Sequence, residues 1–81
     1  MNYYRSERFR RSFKKLPKVV QEVFFKQVTY LLENLQHPSL RAKKYDERNG
    51  IWQARVTRNV RFYFLIEKET YFLVDIQKHK D

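Results

Sequence analysis

In 81 residues the chain has no cysteine, one glycine and two prolines, and only nine acidic side chains stand against 18 Lys/Arg. Each shortage removes a class of function. Without Cys there is no disulfide, no thiol nucleophile and no cysteine zinc site. One Gly cannot build the turns that cradle phosphates in dinucleotide folds or P-loops, which need several residues free of a Cβ. The two His, His37 and His79, are far apart and the carboxylates are scattered, so the chemistry expected here uses no metal and no cofactor. The longest uncharged apolar run, Phe62 to Ile66, is far short of the roughly 20 residues of a membrane span. The first ten residues mix four charges with aromatics and contain no apolar signal core, so the expectation is a cytoplasmic protein without membrane contact.

What is present is a dense core and a one-sided charge. With 42% hydrophobic and 17% aromatic residues, the chain is too rich in core formers for a disordered basic tail. Its length suits a single domain over residues 1–81, of a size that buries about 60% of the unfolded surface. The net charge of +9 is clustered: residues 1–15 carry +5, 16–40 carry 0, 41–61 carry +5 and 62–81 carry −1. Two basic blocks flanking a neutral apolar segment are the electrostatic footprint of a polyanion binder, or else of a surface kept soluble by its charge.

Periodicity divides the chain in two. Tyr3 and Tyr4 suit a short strand over Met1 to Arg5, and Ser6 suits the N-cap of a first helix. In that helix Phe9, Phe13 and Leu16 share one stripe. Pro17, favoured in a first helical turn, opens a second helix to about Leu35, with Val20, Phe24, Val28, Leu31 and Leu35 on its buried stripe. His37 beside Pro38 reads as a helix-end residue. After a basic loop over Ser39 to Asn49 the period falls from 3.6 to 2, and Trp52 to Thr57, Val60 to Glu67 and Tyr71 to Gln77 read as an antiparallel meander with turns at Arg58-Asn59 and Lys68-Glu69. The fold expected is α+β: a two-layer sandwich, an N-terminal strand and helical hairpin packed on an antiparallel sheet, in the order β-α-α-β-β-β.

Within the three strand segments the even positions Trp52, Ala54, Val56, Val60, Phe62, Phe64, Ile66, Phe72, Val74 and Ile76 are all apolar and read as core. The same parity sends Gln53, Arg55, Thr57, Arg61, Tyr63, Leu65, Leu73, Asp75, Gln77 and His79 to the other face unless a bulge shifts the register. Arg55 and Arg61 there suit a phosphate, because the guanidinium fork binds two oxygens and stays charged. His79 suits proton transfer, because imidazole titrates near neutrality. Lys43 and Lys44 approach one edge as phosphate contacts, and Tyr63 offers a ring for an unpaired base. The plain readings are solvated arginines or partners of Asp75, and a frayed terminal His.

The stretch Pro38-Ser39-Leu40-Arg41-Ala42-Lys43-Lys44-Tyr45, then Gly50-Ile51-Trp52-Gln53-Ala54-Arg55-Val56, then Val60-Arg61-Phe62-Tyr63-Phe64 and the closing His79 motif resemble the RelE/ParE superfamily of toxins from toxin–antitoxin modules, over essentially the whole chain. The resemblance implies a RelE-like ribosome-dependent endoribonuclease that cuts mRNA in the A site of the 30S subunit, inhibits translation and leaves a 2′,3′-cyclic phosphate. It also implies a cognate antitoxin as partner. Arg55, Arg61 and His79 match the catalytic positions; Lys43, Lys44, Gln53, Arg58, Tyr63, Lys78 and Lys80 fall in the RNA-binding stretches. Gln53 stands where some members have Lys, and Lys80 follows His79 where many RelE-type nucleases carry Tyr. The general base is unassigned, with Asp46, Glu47 and Asp75 the acidic candidates. Two other readings stay open: a ParE-like inhibitor of DNA gyrase, and a non-catalytic RNA- or ribosome-binding module.

Overall fold

In the computed structural model, which describes residues 1–79, strand β1 (Asn2–Arg5) turns directly into helix α1 (Glu7–Lys14) at Ser6. The Ser6 hydroxyl accepts from the Phe9 amide at 3.0 Å and donates to the Val74 carbonyl at 2.8 Å. One side chain therefore caps the helix and fastens it to the sheet. Pro17 occupies the N-cap position of α2 (Lys18–Glu33). The Gln21 amide donates to the carbonyls of Phe13 and Leu16, tying the start of α2 to the last turn of α1, where carbonyls lack partners in a following turn.

A 3₁₀ turn (Pro38–Leu40) then leads to β2 (Lys43–Asp46), β3 (Ile51–Thr57), β4 (Val60–Glu67) and β5 (Thr70–Lys78), giving a five-stranded sheet in the order β1-β5-β4-β3-β2. The α+β sandwich and its β-α-α-β-β-β frame are as expected, with two changes. Strand β1 pairs with β5 in parallel, so the sheet is mixed and not wholly antiparallel. The stretch expected as a basic loop contains β2, which pairs with β3. Its sequence Lys-Lys-Tyr-Asp carries no apolar alternation because β2 is an edge strand, where charge blocks further pairing.

The core lies between the helices and one face of the sheet. Phe9, Phe13 and Phe24 from the helices meet Phe62 and Phe64 from β4, with Leu31, Leu40, Ala54, Leu73 and Ile76 around them. The expected parity holds in β3 and β4 but fails in the first half of β5. Tyr63 pairs with Asp75 whereas Phe64 pairs with Leu73, so Val74 is an extra residue in a bulge. Tyr71 and Leu73 are consequently buried in the core, while Phe72 and Val74 are not core residues as the parity expectation had them.

Gln27 is the polar exception on the inner face of α2, 4% exposed. Its amide nitrogen donates to the carbonyls of Ser39 and Arg55 at 3.1 and 2.8 Å, and its oxygen accepts from the Ser39 hydroxyl at 2.8 Å. The helix is thereby tied to the strand that carries Arg55 and to the turn before Arg41. Gln27→Leu is expected to lower stability by about 1–3 kcal/mol for each buried polar group left unpaired, read as a drop in the urea midpoint. An unchanged midpoint would mean that these bonds are replaced by water without loss.

Candidate nucleic-acid interface

The sheet face away from the helices presents the polar residues of β3 and β4. Arg55 and Arg61 are direct cross-strand partners, and Gln53 is the partner of Lys43 on one side and of Tyr63 on the other. Two like charges placed opposite each other destabilise a strand pair. Here they line a pocket of about 180 Å³ together with Arg41, Lys43 and Gln53. Four cations around so small a space have the chemistry to hold an anion with more than one oxygen, such as a phosphodiester.

Arg61 is fixed in place by its own turn. Its Nη1 donates to the carbonyls of Thr57, Arg58 and Val60 at 2.8, 2.9 and 3.4 Å, holding the guanidinium by one corner. Neither arginine is a partner of Asp75. That carboxylate, 7% exposed, accepts from Ser12 Oγ, Gln77 Nε2 and the Ile76 amide at 2.8, 2.9 and 2.9 Å and faces Arg8 Nε at 3.2 Å. Arg8 with Asp75 is the one ion pair among the described residues, so no described carboxylate neutralises the arginines of the pocket. Asp75 is also fully engaged and has little capacity left to act as a base. Asp46 accepts from the side chain and backbone of Asn49, and these hydrogen bonds hold its carboxyl below the usual value.

The other expected site residues divide. Lys43 lines the pocket, but Lys44, its neighbour on a strand, faces the opposite way and sets its ammonium 5.2 Å from the Trp52 ring centre. Lys44 is therefore separated from the pocket by the alternation of β2. Lys78 pairs with Val60 and lines a groove beside α1 with Ser12, Lys15 and Leu16, away from the arginines. Arg58 is exposed in the β3–β4 turn and contributes a carbonyl to Arg61. His79 is exposed, and its backbone amide donates to the Asn59 carbonyl in the same turn. It thus lies at the Arg61 end of the sheet, two residues beyond Gln77, the strand partner of Arg61. It does not line the arginine pocket. Lys80 lies outside the described residues. His37 is a turn residue, accepting from the Ser39 amide and stacked on Tyr30.

Tyr63 sits beside the pocket with its ring 4.9 Å from that of Tyr45, tilted by 58°. Burial raises its phenol pKa, with smaller upward contributions from Tyr45 and Asp75 and a downward one from Arg61. Arg41 is the residue that the sequence reading did not place in the site. It follows the 3₁₀ turn in a left-handed conformation, φ 47°, which costs a non-glycine residue about 1–2 kcal/mol. The available signal is its spacing of two from Lys43.

No family model and no curated protein matches the chain. Solved structures match it along nearly its whole length. It is similar to a YoeB/ParE toxin from Agrobacterium tumefaciens, with a TM-score of 0.80 and 10% identity over 99% of this chain and 100% of the other. The YoeB–YefM toxin–antitoxin heterotetramer of Staphylococcus aureus gives 0.79 and 12% over 99% and 98%, and the intact RelBE toxin–antitoxin complex of E. coli gives 0.72 and 16% over 98% and 96%. At such identities the likeness is one of fold: the chain has the RelE-like fold that its residues resemble.

Proposed function

We propose that this chain is the toxin of a toxin–antitoxin module and acts as an endoribonuclease on mRNA in the ribosomal A site, restrained by a cognate antitoxin. The observation that carries the reading is the cluster of Arg41, Lys43, Arg55 and Arg61 around one small pocket, next to a face that bears aromatic and hydrogen-bonding side chains. The solved structures with this fold include toxins in complex with antitoxins, which supports the partner.

In the reaction the 2′-oxygen attacks the adjacent phosphorus and the bond to the 5′-oxygen breaks, giving a 2′,3′-cyclic phosphate and a 5′-hydroxyl. The proton of the 2′-hydroxyl passes to solvent water, and the departing 5′-oxygen takes up one proton in its place. Arg55 and Arg61, with Arg41 and Lys43, stabilise the extra negative charge on the phosphorus oxygens in the transition state. His79 supplies the proton to the leaving oxygen. The hydrogen bonds that Asp75 and Asp46 already accept count against either as the base, and Glu47 is exposed in the β2–β3 turn.

Arg61→Ala tests the role of the pocket. Cleavage of a defined mRNA on programmed ribosomes is expected to fall about 10²–10³-fold, and the salt dependence of RNA binding should lose a slope of about 1. Unchanged cleavage with weakened binding would instead favour a module that holds RNA without cutting it. A gyrase inhibitor needs no phosphate pocket, and inhibition of gyrase by wild type and Arg61→Ala alike would favour that reading.

A further inference from the structure

A second pocket, of about 300 Å³, opens on the same sheet face and is lined by Arg8, Tyr45, Ile51, Tyr63, Val74, Asp75 and Gln77. We propose that it receives one unpaired nucleobase of the RNA whose phosphate lies in the arginine pocket, a proposal that rests on the nuclease reading and extends it to base selection. Its walls have the chemistry of a base site. Tyr45 and Tyr63 stand ring against ring at 4.9 Å, and Tyr45 is 61% exposed, a large aromatic surface held at the mouth with no core to serve. Unpaired bases stack on such rings and are read along their edges by side-chain donors and acceptors.

The polar end is built and oriented. Asp75 is buried and held by four donors, so it is an anchor and not a ligand. Because Gln77 Nε2 donates to Asp75 Oδ2 at 2.9 Å, the amide is fixed with its oxygen as a free acceptor. Because Arg8 Nε faces the same oxygen at 3.2 Å, its two terminal nitrogens remain as donors. A donor and an acceptor on a fixed support suit the edge of a base. The carboxylate at the wall disfavours a second phosphate or an acidic peptide in this position.

Register connects the two pockets. Tyr63 is two residues from Arg61 on β4, Gln77 is the strand partner of Arg61, and Gln53 of the arginine pocket is the strand partner of Tyr63. Two residues of strand span about 7 Å, a separation that a nucleotide can bridge from its phosphate to its base.

The test is equilibrium binding of an uncleavable 2′-O-methyl RNA tetranucleotide and of the same oligomer lacking one base, each position in turn. Wild type is expected to prefer the intact oligomer by about 5- to 150-fold at one position, the worth of one stacked base. Tyr45→Ala and Gln77→Ala should erase the preference while keeping the affinity for the oligomer that lacks this base. Tyr45→Phe should retain it, and Arg61→Ala should weaken both oligomers alike. Equal affinity of wild type for both oligomers, no binding of either, or a preference that survives Tyr45→Ala, would overturn the proposal. A base preference without cleavage on ribosomes would leave the subsite standing and remove the nuclease, whereas cleavage without a base preference would do the reverse.

Discussion

His79→Ala is expected to leave RNA affinity nearly unchanged and to slow cleavage about 10²–10⁴-fold, the usual worth of a positioned acid or base. The imidazole is exposed, and the residue is held by its backbone to the Asn59 carbonyl, so its removal costs the fold little. The loss should fall on the chemical step. Single-turnover cleavage at saturating ribosomes separates this from binding. A loss of only twofold would remove His79 from the mechanism and leave proton transfer to the RNA or the ribosome.

Phe24→Ala is expected to come close to unfolding the chain. Phe24 is fully buried, and its ring lies 5.3 Å from those of Phe9 and Phe13, 5.5 Å from Phe25 and 5.4 Å from Phe62. It therefore joins both helices to the sheet. Emptying such a position costs about 3–5 kcal/mol, against a total stability of about 4–12 kcal/mol for a chain of this length. Urea or thermal denaturation should show a midpoint lowered severely or no cooperative transition at all. A loss below about 1 kcal/mol would mean that the neighbouring rings close the cavity.

Much of this arrangement is legible in the sequence because apolar periodicity is a direct print of burial. The stripe Val20, Phe24, Val28, Leu31 and Leu35 marks α2, and the even positions of β3 and β4 mark the inner face of the sheet. The same alternation brings Arg55 and Arg61 to one face. What escapes is set by interactions that leave no periodic mark. Strand β2 is charged because it lies at an edge, so Lys43 and Lys44 read as one basic loop although they face opposite ways. The Val74 bulge exchanges core and surface in half of β5, since an extra residue reverses parity without changing composition. Arg41 enters the pocket through a left-handed turn, and Arg8 claims Asp75 from a helix 67 residues earlier in the chain. Long-range pairing of that kind has no local signal.

Cutting of RNA on the ribosome by the basic face is read by mapping the ends of a defined mRNA after incubation with purified protein, with and without programmed ribosomes. Cuts inside the A-site codon that need the ribosome, leave a 2′,3′-cyclic phosphate and disappear in Arg61→Ala and His79→Ala are the predicted result. Intact mRNA under both conditions, from folded protein, would contradict it.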